Sequence, residues 1–270
     1  MIKLKNFSIG DNNPFVLIAG PCVVENEKMI LQTAESISKI TNELKIPYIF
    51  KSSYKKANRT SHKSFSGIGD AEAIKILSKV HNDLGIPVLT DIHFPDEIDE
   101  VGNAADVLQI PAFLCRQTEL LISAGKSGKI INIKKGQFLA PEDMKFAADK
   151  VASTGNEKIL LTERGTTLGY HNLVVDMRSL IIMKEFGYPV VMDATHSVQL
   201  PSQNVQSGGE PKYIKPLARA AAAVGIDALF LEVHPDPKNA LSDAASQLSL
   251  NELKDLLVVV KEIDEIIKGL

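Results

Sequence analysis

The stretch FVLIAGPCVVE, Phe15 to Glu25, decides the fold. An uninterrupted apolar run arrives at Gly20-Pro21, a pair that strand and helix interiors exclude, and the chain then presents Cys22. A strand that is apolar throughout, with no alternation, belongs to a parallel sheet buried on both faces. No Gly-x-Gly-x-x-Gly phosphate turn follows it, which argues against an open, doubly wound sheet.

The same pattern recurs along the chain. Strand-like runs are expected at 15–20, 48–53, 87–92, 107–112, 129–135, 158–164, 189–196 and 228–234, each followed by a stretch of helical period such as EKMILQTAESISKITNEL. Helix stops fall at Leu84-Gly85-Ile86-Pro87 and Phe186-Gly187-Tyr188-Pro189. Eight such units without a linker predict an α/β fold: one (β/α)8 barrel domain over 1–270, with a short N-terminal extension.

Composition narrows the function. The chain has 270 residues, 44% hydrophobic and 23% charged, with a net charge of −3, so neither nucleic acid nor an acidic membrane is an expected partner. The segment MIKLKNFSIGDNN lacks the apolar core of a signal peptide, and no run approaches a membrane span, which points to the cytoplasm. In that compartment Cys22 and Cys115 are read as free thiols.

A barrel of this kind carries its site at the C-terminal ends of its strands. Those ends read Cys22, Lys51, Asp91, Gln109, Lys135, Arg164, His196 and Glu232. Barrel closure makes the first, seventh and eighth strands neighbours, so Cys22, His196 and Glu232 converge, with Asp243 in the following loop. One thiolate, one imidazole and two carboxylates suit a divalent transition metal. A buried packing role for Cys22 and a helix N-cap role for Asp243 are the competing readings. His93 and His234 compete as ligands, and Cys115 is read as packing.

Lys51, Lys56, Arg59, Arg116, Lys135 and Arg164 concentrate cations at one barrel end of an acidic chain, which implies a substrate with several anionic groups. Lys55 and Lys134 are read as solvated. Lys51 or Lys135 could alternatively form a Schiff base.

IAGPCVVE, FKSSYKKANRTS, TDIH, LQIPAFLCRQTELL, INIKKGQFLAPEDM, TERGTTLGYHNLVVDMR, DATHSVQLP and LFLEVHPDPKNALSDAASQL occur in order from Pro14 to Leu250. Together they closely resemble the 3-deoxy-D-manno-octulosonate 8-phosphate synthase family. The resemblance implies condensation of phosphoenolpyruvate with arabinose 5-phosphate, releasing inorganic phosphate. It implies a phosphoenolpyruvate pocket at Lys56, Gln109, Arg116, Lys135 and Arg164, with Lys51 nearby, and a sugar-phosphate segment at Asn58, Arg59 and Thr60. In the family Arg59 is expected to reach in from a neighbouring subunit of a homotetramer. The stretch 206–211 matches a mobile loop.

Lys56-Ala57-Asn58-Arg59 resembles the arabinose branch, where the erythrose 4-phosphate relative carries Lys-Pro-Arg-Thr. Cysteine after Gly-Pro resembles the metal-dependent branch, where the other branch has asparagine. The implied ligands are Cys22, His196, Glu232 and Asp243 for Zn, Fe, Mn or Co. His196, Asp91 and Lys56 are the expected catalytic residues. The rival functions are the erythrose 4-phosphate reaction and a barrel that binds sugar phosphates without catalysis.

Overall fold

Eight parallel strands close on themselves in a computed structural model that describes residues 1–59, 61, 64–201 and 208–270. The strands are β1 (Val16–Gly20), β2 (Tyr48–Lys51), β3 (Val88–Asp91), β4 (Val107–Ile110), β5 (Ile130–Lys134), β6 (Ile159–Glu163), β7 (Val190–Asp193) and β8 (Ala228–His234). Each pairs with the next, and β8 closes the ring on β1 through Ala228↔Val16 to Glu232↔Gly20. The expected (β/α)8 barrel is therefore present.

The principal helices are α1 (Glu27–Leu44), α2 (Asp70–Asn82), α3 (Ile98–Ala104), α4 (Thr118–Lys126), α5 (Met144–Ala152), α6 (Arg178–Lys184), α7 (Ile214–Val224) and α8 (Leu250–Lys268). The first begins where Asn26 accepts a hydrogen bond from the Met29 amide at 2.9 Å, a side-chain N-cap. No helix among the described residues is long and apolar enough to cross a membrane.

Two apolar cores follow from the period of two along each strand. Outward-facing Leu17, Phe50, Leu108, Ile131, Leu161, Met192 and Leu229 pack against the helices. Inward-facing Val16, Ile18, Ile49, Leu89, Val107, Ile130, Leu160, Val191, Ala228 and Phe230 fill the barrel. The N-terminal extension is a hairpin, Ile2–Leu4 against Phe7–Ile9, whose Ile2, Leu4 and Ile9 join that inner core. With the interior plugged by hydrocarbon, the polar chemistry is confined to the C-terminal strand ends.

Candidate active site

Counting by twos from the inner core shows which strand-end side chains enter the barrel mouth. After Ile49 comes Lys51, after Leu89 Asp91, after Val107 Gln109, and after Ile130 both Asn132 and Lys134. Leu160 leads to Thr162 and Arg164, Val191 to Asp193, and Phe230 to Glu232. A cavity of about 390 Å³ opens there, lined by Lys51, Lys56, Asn58, Arg59, Asp91, Gln109, Lys134, Arg164, His196 and Asp243 among others.

The lysine pair that ends β5 corrects one expectation. Lys134 points inward, pairs with Asp193, and lies 3.9 Å from the centre of the Phe230 ring. Lys135 points outward and is fully buried, with Nζ 2.9 Å from Thr166 Oγ1 and 3.6 Å from Glu163 Oε1. The lysine that lines the cavity is thus Lys134, which the sequence reading left in solvent, whereas Lys135, expected there as a substrate contact or Schiff-base lysine, is buried facing away from it. Consecutive residues of a strand face opposite ways, so an error of one position exchanges the two environments.

Arg116 is exposed and does not line the cavity of its own chain. Arg59, expected to reach in from a neighbouring subunit, lies within this chain over the barrel mouth. Its Nε donates to Phe65 O at 2.9 Å, its Nη1 lies 3.2 Å from Asp243 Oδ1, and Nη2 bonds Ser242 Oγ. The Lys56 amide donates to Ser66 O at 2.7 Å, so the described residues on either side of Arg59 double back and hold it near its own mouth. Thr60 and the loop residues Gln206 and Ser207 lie outside the described residues.

Gly20 explains how Cys22 is delivered. A Cβ built on Gly20 would lie 2.2 Å from the Lys51 carbonyl oxygen, so only glycine lets β1 come this close to β2. Beyond Pro21, the Cys22 amide donates to Gln247 Oε1 at 3.2 Å, and Sγ lies 2.9 Å from Ser242 Oγ. Ligand atoms of Cys22, Glu232 and Asp243 all fall within 4.8 Å of one another. His196 stands beside this group of three, with Nε2 3.4 Å from Glu232 Oε1 and 3.9 Å from Asp243 Oδ2. His93 and His234 do not: each faces a glutamate elsewhere, Glu97 at 3.4 Å and Glu25 at 3.5 Å.

The donor set fits a divalent cation. Glu232 Oε2 is buried without a hydrogen-bond partner among the described residues, on a carboxylate that His196, Lys51 and Lys56 keep ionised against the effect of burial. Burial, then Asp243 and Glu232, push the Cys22 thiol up to about 12, an environment that a nearby cation would reverse. His196 Nδ1 lies 2.7 Å from Asp193 Oδ2, which fixes the ring and turns Nε2 toward the two carboxylates. Asp243 is not a helix cap. The next helix starts at Leu250 behind Ser249, and Asp243 has a φ of 47°, a left-handed conformation that aspartate tolerates.

Asp91 sits at the centre of a directed network. Thr162 donates to Asn132 Oδ1 at 2.6 Å, Asn132 to Gln109 Oε1 at 2.9 Å, and Gln109 Nε2 to Asp91 Oδ1 at 2.5 Å. From the other side Lys56 Nζ donates to Ser53 Oγ at 2.8 Å, and Ser53 donates to Asp91 Oδ2. Burial opposes ionisation, but Lys56, Lys51 and His93 hold the carboxyl well below the ordinary range. Both its oxygens accept hydrogen bonds, so Asp91 is an anchor for donors and a weak base. Burial likewise opposes the charge on Lys56, yet Cys22, Glu232 and Asp91 hold its pKa above the usual lysine value.

Asp193 and Gln199 belong to the site and were missed in the sequence. The period of two from Val191 finds Asp193; nothing local marks Gln199.

The profile of the DAHP synthetase I family matches residues 1–269. Among curated relatives, the 2-dehydro-3-deoxyphosphooctonate aldolase of Geotalea uraniireducens is 54% identical over 268 residues, 99% of this chain and 98% of its own. That of Syntrophotalea carbinolica is 53% identical over 269 residues, covering 99% and 97% of the two chains. That of Dichelobacter nodosus is 53% identical over 268 residues, with the same coverage.

Proposed function

The chain belongs to the DAHP synthetase I family, and from that premise we propose that it condenses phosphoenolpyruvate with arabinose 5-phosphate and water. The products are 3-deoxy-D-manno-octulosonate 8-phosphate and inorganic phosphate, which makes the enzyme a transferase. Relatives bearing the aldolase name at more than half identity over nearly the full chain support this choice of sugar. The observation that carries it is that Lys56, Ala57, Asn58 and Arg59 line the same cavity as Lys134 and Arg164. Two separate cationic groups face one space, as two phosphorylated substrates require.

In this reaction C3 of phosphoenolpyruvate bonds to the aldehyde carbon, water adds at C2, and phosphate leaves by C–O cleavage. Lys51, Lys56, Lys134 and Arg164 bind the carboxylate and phosphate of phosphoenolpyruvate, while Asn58 and Arg59 hold the sugar phosphate. Their fixed charges screen the repulsion between the two anions and align the reacting carbons. Gln109, tied on both sides, is positioned without freedom to turn. Cys22, His196, Glu232 and Asp243 would hold a divalent Zn, Fe, Mn or Co ion. When bound, such an ion supplies positive charge that polarises a carbonyl or water oxygen. His196 then serves as a ligand, and Lys56, charged and hydrogen-bonded to Ser53 Oγ, adds to the positive field that holds the anions.

A cytoplasmic, self-associating enzyme completes the reading. Both cysteines are free, and Phe94 and Phe113 form an exposed apolar rim at the mouth, 58% and 56% accessible, that a homotetramer would cover. Sedimentation at assay concentration tests the assembly. The reaction itself is tested by phosphate release from phosphoenolpyruvate with arabinose 5-phosphate and with erythrose 4-phosphate, before and after chelation. We expect turnover with the five-carbon sugar, lost on chelation. Turnover with erythrose 4-phosphate alone would assign the sister reaction, and none with either aldehyde would leave a binding barrel.

A further inference from the structure

Gln199 uses its side-chain amide at both ends. Oε1 accepts from Arg164 Nη2 at 2.9 Å, and Nε2 donates to Asp243 Oδ2 at 3.0 Å. One amide therefore joins a cation of the phosphoenolpyruvate pocket to one of the four metal-type ligands. Its backbone is fixed independently of those contacts. Gln199 pairs with Gly209 in a two-residue antiparallel ladder, and the Glu210 amide donates to Val198 O at 2.9 Å. A Cβ built on Gly209 would lie 2.5 Å from Ala245 O, so this ladder is wedged against the loop that carries Asp243. At the other end, Arg164 lines the cavity, and its buried Nη1 has no hydrogen-bond partner among the described residues.

We propose that Gln199 is a positioning residue that couples anion binding at Arg164 to metal binding at Asp243. An amide is directional: with the oxygen on Arg164, the NH2 group must face Asp243, and a flip would break both hydrogen bonds. Ordering either end therefore orders the other, and each ligand lowers the ordering cost of its partner. Coupling of this kind is reciprocal, so phosphoenolpyruvate tightens the metal by the factor with which the metal tightens phosphoenolpyruvate. Direct attraction between the two ligands adds to this and does not pass through Gln199.

The inference rests on the function proposed above, and its test is separable from it. The full chain, stripped by chelation, is titrated with Co²⁺ with and without phosphoenolpyruvate, following thiolate-to-cobalt absorption. In the wild type we expect phosphoenolpyruvate to tighten Co²⁺ binding. Gln199→Met keeps the side-chain length without the amide, and Gln199→Asn is too short to span both partners. Each should lose at least threefold of that tightening, with an unchanged urea midpoint. A role in packing alone would move the midpoint and leave the ratio intact. Equal tightening in wild type and variants overturns the coupling, as does a wild type that binds no Co²⁺. Coupling without product from phosphoenolpyruvate and arabinose 5-phosphate would refute the reaction alone.

Discussion

Replacing Lys134 and Lys135 separately by methionine tests the inward and outward assignment of the β5 end. Methionine matches the lysine stem in length and removes only the charge and its donors. At 134 the charge lost is the one that faces the cavity and pairs with Asp193. A hydrogen bond to a charged group contributes about 1.5–3 kcal/mol, so kcat/KM should fall roughly 10- to 100-fold. At 135 the lost partner belongs to Glu163, 3.6 Å away, and both side chains are essentially inaccessible. The Glu163 carboxylate still accepts the Arg164 and Gly165 amides at 2.9 and 2.6 Å, but Oε2 has no hydrogen-bond partner among the described residues. Stranding a buried charge costs about 3–5 kcal/mol, so Lys135→Met should lose stability in urea while its folded fraction keeps near-normal kcat/KM. Phosphate release and urea unfolding of both variants separate the two effects. A silent Lys134→Met beside a stable, inactive Lys135→Met would refute the assignment.

Asp91→Asn should flatten the acid limb of the stability curve. Asp91 is ionised in the folded state far below the unfolded value of about 3.9, so its contribution is present above that pH and lost as pH falls toward the folded pKa. Below pH 4 the wild-type curve should be steeper than that of the variant by up to about 1.4 kcal/mol per pH unit, and parallel urea-derived curves would contradict this. Cys22→Ser should weaken metal binding sharply in an equilibrium titration while Cys115→Ser leaves it nearly unchanged; similar losses in both would remove the thiolate from the ligand set. Cys22→Asn should keep some turnover after chelation, and a variant still fully dependent on metal would show that residue 22 does not set the requirement. Arg59→Ala should raise the KM for arabinose 5-phosphate roughly tenfold or more, and that for phosphoenolpyruvate much less. Equal changes would move Arg59 off the sugar phosphate.

The barrel was legible because buried parallel strands have to be apolar on both faces, and Val16–Gly20 or Ala228–His234 can be read as nothing else. Strand ends were less legible. The run at 189–196 ends three residues earlier, at Asp193, and the residues after it form a tight turn that carries His196. Reading the strand too far hid the aspartate that orients this histidine. The Lys134–Lys135 exchange has the same origin, since two adjacent lysines give no clue to phase unless Ile130 and Asn132 are first placed inside. The N-terminal hairpin was missed because three residues per strand are too few to show a period.

Asp243 marks the limit of such reading. In the sequence, Ser242-Asp243 ahead of an apolar helix satisfies every local requirement of an N-cap. In the fold its carboxylate is gripped from three directions: Arg59 at 3.2 Å, Gln199 at 3.0 Å and His196 at 3.9 Å. The first lies 184 residues away along the chain and the second 44. Local propensity could not choose between the two roles because both favour a short carboxylate in a turn. The choice is made by closure of the ring, which sets β8 against β1 and brings the loop after β8 over Cys22. A residue whose role depends on closure becomes readable only when the strands have been counted, and Gln199, whose side-chain partners Arg164 and Asp243 lie 35 and 44 residues away, remains unreadable even then.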